Sequence, residues 1–201
     1  MKSGVSEDSI ESFLDTVAAK TSTPGGGAVA AITGAQAAAL ISMVCSFSPH
    51  VEGVTQIQSR VQEARVSFLA LATADIEAFN KLMVALRRPE NEAGRLDNIQ
   101  ASLKEAAESP REMMVLADSM IDDALVLLRT GNKNLVTDST MAAILIAATI
   151  RSAELNILIN LKSIGDKNYR TTVNTQTAEC IARSKKLTEA ADRIRNSLQI
   201  D

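Results

Sequence analysis

The chain has 201 residues, which suits one domain or two small ones, and 46% of them are hydrophobic, enough for a sizeable core. Its formal net charge of -3 and the absence of a basic block make it a poor candidate for binding nucleic acid. Aromatic residues make up 2% and tryptophan is absent. A core of small and aliphatic side chains favours closely packed helices over a β-sheet.

Hydrophobic periodicity predicts about seven helices, no strand and no linker. We therefore predict an all-α, single-domain antiparallel helical bundle over residues 1–201, with a central, buried helix rich in alanine and glycine. Ser6 or Ser9 could cap the first helix, and Thr137 or Asp138 the sixth. The pair Ser109-Pro110 is typical of a helix start, so it separates the fourth helix from the fifth. The predicted helices are 8–20, 28–47, 55–88, 95–107, 110–130, 139–164 and 168–198.

The central helix is as long as a membrane span, and residues 28–47 carry no charge. Alanine dominates it, however, and alanine is only weakly driven into lipid. Cys45 and Cys180 lie far apart in predicted helices, which indicates reduced thiols. The N-terminus has no apolar signal-peptide region. We expect a cytoplasmic protein with no membrane association.

A glycine-rich stretch, Thr23-Pro-Gly-Gly-Gly27, enters the central helix. Gly25, Gly26 and Gly27 allow the backbone to approach a ligand above the helix N-terminus. A tight turn explains them equally well. The stretch is neither a P-loop nor a dinucleotide fingerprint, because it lacks Gly-Lys-Ser/Thr and no strand precedes it.

Five polar residues interrupt apolar helices or lie beside their ends: Asp75, Asn132, Asp138, Asn156 and Asn160. Asp75 falls within the apolar face of the third helix, where an unpaired carboxylate is costly. Each also has a simpler structural explanation: Asp138 as a helix cap, Asn132 as a helix C-terminal residue, and the other asparagines as polar contacts between helices. Together, they suit a small, flat, polar heterocycle.

A metal site is not predicted. The single histidine, His50, lies in a Ser-Pro-His turn, and the two cysteines lack metal-ligand spacing. A catalytic triad that needs histidine is not predicted either, because His50 is expected to be an exposed turn residue.

Several motifs in order carry a resemblance to a known family. They are Thr23-Pro-Gly-Gly-Gly-Ala, Ser42-Met-Val-Cys, Asp75-x-x-x-Phe79, Gly131-Asn-x-x-x-x-Thr-Asp138, Ala142-Ala and Asn156-x-Leu-Ile-Asn160-Leu-x-x-Ile-x-Asp166. The chain resembles the cyclodeaminase family, which comprises the C-terminal domain of formiminotransferase-cyclodeaminase and stand-alone bacterial relatives. The resemblance covers residues 8–195. Ala28 stands where many relatives have serine.

The resemblance implies a homodimeric, folate-binding enzyme of one-carbon metabolism with no cofactor beyond its tetrahydrofolate substrate. Asp75 and Asp138 would be acid/base or cation-stabilising groups. The remaining members of the site would bind the substrate: Gly25, Gly26, Gly27, Asn132, Asn156 and Asn160. Because the chain contains no formiminotransferase domain, it would act alone or with a separate formiminotransferase.

Three functions are compatible with this resemblance. The first is conversion of 5-formiminotetrahydrofolate to 5,10-methenyltetrahydrofolate with release of ammonia. The second is methenyltetrahydrofolate cyclohydrolase, which produces 10-formyltetrahydrofolate at the same site. The third is a non-catalytic, folate-binding helical dimer.

Overall fold

The structure, a computed structural model, describes residues 4–198 and consists of α-helices joined by short connections. No strand occurs in this range, and the predictions of an all-α bundle and of about seven helices are confirmed. Two 3-10 turns, Val5–Glu7 and Lys133–Leu135, precede α1 and α6. The helices are α1 Ile10–Ala18, α2 Gly26–Ser46, α3 Val54–Leu86, α4 Arg95–Ser119, α5 Ile121–Thr130, α6 Val136–Leu161 and α7 Lys167–Ser197.

Helix α2 is the centre of the bundle, as predicted, and packs mainly against α3 and α6. Its small side chains allow this close approach. A Cβ at Gly34 would lie 2.6 Å from Cε1 of Phe68, an aromatic ring of α3 that is fully buried. One hydrophobic cluster includes buried side chains from all seven helices.

Helices α2 and α6 lie antiparallel. The start of α2 and the end of α6 line one cavity. At the other end of the pair, Asn132, just before α6, donates a hydrogen bond to the end of α2. By length and composition, α2 and the segment Lys133–Leu161 would suit a membrane span. However, 56% and 44% of their most apolar windows are buried inside the bundle, as in core helices of soluble proteins.

The predicted break at Ser109-Pro110 is wrong, because α4 continues through Pro110 to Ser119. Proline lacks an N–H and so leaves the carbonyl four residues earlier without its helical partner. That carbonyl belongs to Ala106, and it accepts a hydrogen bond from the side chain of Asn160 at 3.1 Å. A partner from α6 thus compensates for the proline within α4.

Two other helix starts test the capping predictions. Ser9 caps α1, because its side chain accepts from the backbone N–H of Ser12 at 3.1 Å. Thr137 and Asp138 do not cap α6, which begins at Val136. The preceding 3-10 turn runs directly into α6, so the chain is already helical there.

The predicted apolar stripe of α1 is only partly buried. Phe13 reaches the core, whereas Ile10 and Leu14 are exposed. Because α1 lies at the periphery, only one of its faces meets the bundle.

Candidate active site

A cavity of about 550 Å³ lies among the N-terminus of α2, the C-terminal half of α3, α4 and the C-terminal end of α6. Both polar and apolar residues line it, so it suits a ligand with both characters. The polar residues are Ser22, Thr23, Gly25, Gly26, Gly27, Asp75, Gln100, Asn156, Asn160 and Ser163. The apolar residues are Phe79, Leu82, Leu86, Ile99, Leu103, Ala106 and Ile159.

Among residues 4–198, Asp75 is the one ionisable side chain that lines this cavity. Its carboxylate lies over the first turn of α2, against Gly27 and near the backbone N–H of Ala28. Burial raises the pKa of Asp75 to about 6, although the nearby backbone N–H of Ala28 acts in the opposite direction. Both protonation states are therefore populated near neutral pH, which suits a group that transfers protons.

Asn156 and Asn160 enter the cavity from successive turns of α6. The Nδ2 atom of Asn156 donates to the carbonyl of Ser152 at 2.9 Å. The Nδ2 atom of Asn160 donates to the carbonyls of Asn156 at 2.9 Å and Ala106 at 3.1 Å. These bonds leave the two Oδ1 atoms to meet a ligand, and an amide oxygen can only accept. This part of the cavity therefore suits a ligand edge with N–H donors.

Asn132 lies at the opposite end of α6 from the cavity. Its Nδ2 donates to the carbonyl of Phe47 at 3.0 Å, and its Oδ1 accepts from the backbone N–H of Asn134 at 2.9 Å. Its backbone N–H donates to Oγ of Ser48 at 2.9 Å. These contacts join the α5–α6 connection to the end of α2. Substrate binding by Asn132 stays a prediction.

Asp138 lies in the first turn of α6, eighteen positions before Asn156. At 1.5 Å per residue, this is about 27 Å along the helix axis. Within one chain, the structure therefore does not bring Asp138 to the cavity that contains Asp75. A catalytic role for Asp138 also stays a prediction.

The cavity includes residues that the sequence did not single out as site residues. Phe79 lies one helical turn after Asp75, and this i, i+4 spacing was a usable signal. Gln100 had no such signal. Its side chain donates to the carbonyl of Ser163 at 2.9 Å and accepts from the N–H of Gly165 at 2.7 Å. It thereby fixes the α6–α7 connection beside the cavity.

Among residues 4–198, no group of three or more His, Cys, Asp or Glu side chains is placed to hold a metal ion. The residues that line the cavity supply one carboxyl group and several neutral polar groups. Such a set can bind a partly apolar, donor-bearing molecule and move a proton at Asp75.

Comparison with known proteins identifies the family. A sequence model described as formiminotransferase-cyclodeaminase matches residues 9–179. The chain belongs to this family. A solved relative within it, the formiminotetrahydrofolate cyclodeaminase from Thermotoga maritima, superposes with a TM-score of 0.88 at 32% identity. That match covers 96% of this chain and 98% of the relative.

Two other members of the formiminotransferase-cyclodeaminase family differ in the activity they are named for. The methenyltetrahydrofolate cyclohydrolase of Methylorubrum extorquens is 35% identical, over 81% of this chain and 83% of the relative. The formimidoyltransferase-cyclodeaminase of Gallus gallus is 28% identical, over 86% of this chain and 34% of the relative. The chain thus spans about a third of this longer relative and most of the cyclohydrolase.

Proposed function

We propose that the chain is a folate one-carbon enzyme whose cavity binds a tetrahydrofolate and transfers a proton at its one-carbon unit. The observation that carries this proposal is the place of Asp75. Its partly buried carboxyl group is on the cavity wall, at the N-terminus of α2, and has a pKa of about 6. A carboxyl group with this pKa can both accept and donate a proton near neutral pH.

The remainder of the cavity supports a pterin ring as the bound group. The ring is flat, and its pyrimidine edge carries N–H donors. We assign that edge to the Oδ1 atoms of Asn156 and Asn160, whose amide nitrogens are already bonded. Phe79 would pack against the ring face, since aromatic side chains bind flat rings favourably. Gly25, Gly26 and Gly27 would form the wall nearest the reacting carbon.

We propose formiminotetrahydrofolate cyclodeaminase as the reaction. Atom N10 attacks the carbon of the protonated 5-formimino group, so that an N10–C bond forms. Asp75 accepts the proton that N10 loses and passes it to the amino nitrogen. The bond between the carbon and that nitrogen then breaks, ammonia leaves, and the positive charge remains on the 5,10-methenyl bridge. One cation is consumed and one is formed, so atoms and charge balance.

A second candidate, methenyltetrahydrofolate cyclohydrolase, is favoured by the 35% identity to a protein of that name. Here water adds to the cationic carbon and the bond from that carbon to N5 breaks. One proton of the water goes to N5 and the other to solvent. Asp75 would accept the proton from the attacking water.

An assay with each substrate separates the two reactions. We expect the purified chain to release ammonia from 5-formiminotetrahydrofolate while methenyl absorbance rises. Loss of methenyl absorbance without any ammonia release from the formimino substrate would establish the cyclohydrolase instead. Turnover of neither substrate, with tetrahydrofolate still bound, would leave the non-catalytic, folate-binding alternative. A sample without protein is the control for spontaneous ring opening.

We also propose that the chain forms a homodimer through α6. Four large apolar side chains of this helix, Met141, Ile144, Leu155 and Ile159, are each at least half exposed. They recur at helical spacing and so form a stripe along one face. Large exposed apolar side chains that share one helix face are typical of an interaction surface.

We propose the cytoplasm as the location. Cys45 and Cys180 are both buried as free thiols, which suits a reducing compartment. A separate formiminotransferase would supply the 5-formimino substrate.

A further inference from the structure

The three glycines before and within the start of α2 differ in what surrounds them. An added Cβ would meet nothing within 4 Å at Gly26, and only the carbonyl of Ser22, at 3.9 Å, at Gly25. At Gly27, by contrast, it would overlap both carboxylate oxygens and the Cγ of Asp75. Only Gly27 therefore has a steric reason to lack a side chain.

Backbone conformation does not supply another reason. Among the described glycines, only Gly53 and Gly94 have positive φ, so Gly27 adopts a conformation open to any residue. Gly27 is also the second residue of α2, where alanine would favour the helix more than glycine does. Helix propensity alone would therefore favour alanine over glycine at this position.

We propose that Gly27 is a positioning residue for Asp75. Its missing side chain leaves the space in which the carboxylate lies over the first turn of α2. The free N–H groups at a helix N-terminus favour a negative charge there. A contribution of Gly27 to catalysis rests on the proposed function, whereas the positioning of Asp75 by Gly27 does not.

Gly34 provides the matched comparison. It also lies in α2, and a Cβ there would also clash, but with the ring of Phe68 and not with a carboxylate. Gly34→Ala therefore perturbs the packing of the same two helices, α2 and α3, while the environment of Asp75 stays the same.

The first test is a double-mutant cycle on the melting temperature. We expect Gly27→Ala to lower Tm in the wild-type background. In an Asp75→Ala background, the same change should raise Tm by ~2–4 °C, because the clash is gone and alanine favours the helix. Gly34→Ala should lower Tm similarly in both backgrounds. If Gly27→Ala lowers Tm equally in both, or prevents folding in both, the proposal is overturned.

The second test follows the carboxyl carbon of Asp75 by NMR titration, with Asp75→Asn as the assignment control. We expect Gly27→Ala to shift this titration, since an added Cβ displaces the carboxylate from its place over α2, and Gly34→Ala to leave it unchanged. An unchanged titration in Gly27→Ala contradicts the proposal. Neither this measurement nor the Tm cycle requires turnover. Both therefore still test whether Gly27 positions Asp75 if the proposed reaction is not found.

With an active enzyme, the pH profile is the third readout. We expect Gly27→Ala to lower kcat ~100-fold, the scale of a lost proton transfer, and to displace the acidic limb of the profile in the direction seen by NMR. Gly34→Ala should have the same acidic limb of the pH profile as the wild type, at temperatures where the variant is folded. If the enzyme is active and Gly27→Ala has the wild-type kcat and the wild-type acidic limb of the pH profile, the positioning role is refuted. The reaction assignment would be unaffected.

Discussion

The side-chain nitrogen of Asn160 donates to the carbonyl oxygen of Ala106 at 3.1 Å, joining α6 to α4 across one edge of the cavity. This carbonyl is available because Pro110, four residues later, has no N–H to give it. A proline inside one helix thus helps to orient an amide that belongs to another. Because the nitrogen is held in this way, the oxygen of the same amide is the atom left for a ligand.

Pro110→Ala tests this relationship. Alanine supplies an N–H that competes for the Ala106 carbonyl, and it favours the helix, so we expect stability to stay equal or rise. Asn160 loses part of its anchor, which should raise the KM for the folate substrate several-fold, the scale of one neutral hydrogen bond. Melting curves and steady-state kinetics measure the two effects. Pro89→Ala, in the exposed α3–α4 connection, is the control, and an equal KM in both variants contradicts the prediction.

Asp75→Asn should change how stability depends on pH. The pKa of Asp75 in the folded chain is about 6, above its usual value, because burial disfavours the charged form. The wild type is therefore expected to lose stability as pH rises from about 4 to about 6, as the carboxyl group ionises. Asparagine keeps the shape and the acceptor but never ionises.

The variant should consequently be more stable than the wild type above pH 6, by at most about 3 kcal/mol, the equivalent of a shift of roughly two pKa units. Below pH 4 the difference should vanish, which provides an internal control. Urea unfolding at a series of pH values measures it. Parallel pH curves for the two proteins would show that Asp75 is not held in an unfavourable charged state.

Asp138 can serve the cavity only from a second subunit, because it lies about 27 Å along α6 from Asn156 in its own chain. If the proposed dimer and the predicted catalytic role are both correct, Asp75→Asn and Asp138→Asn should each lower kcat ~100-fold or more. Mixed assemblies of the two variants should then regain part of the activity, since one site in each would contain both wild-type aspartates. Full activity in Asp138→Asn alone would remove it from the catalytic set.

Leu155→Arg should disrupt the proposed dimer. Leu155 is 68% exposed in the middle of the apolar stripe of α6, and a charge there would be buried on association. We expect a shift from dimer to monomer in sedimentation, with little change in the melting temperature of the monomer. Val66→Arg is the control, because Val66 is similarly exposed, at 61%, but lies on α3. A wild-type chain that sediments as a monomer would refute the proposal directly.

Helix content followed from the local pattern of the chain, because the spacing of apolar side chains decides which segments become helices. The uncharged run after Gly27 predicted the central helix, and the place of Asp75 within an apolar face marked it as unusual. Prediction from local sequence failed where a residue far away in the chain contacts the helix. Pro110 reads as a helix start until Asn160, from α6, occupies the carbonyl that the proline leaves free.

The composition of the cavity was decided by tertiary structure. Asn156 and Asp138 are on the same helix, yet the antiparallel packing of α2 and α6 brings Asn156 to Asp75 and leaves Asp138 at the far end. Gly27 reads as one of three equivalent glycines until α3 places a carboxylate against it. The sequence by itself determined which segments are helical and which polar residues are out of place. Only the packing of distant segments decided which of those residues meet, because that depends on contacts between helices far apart in the chain.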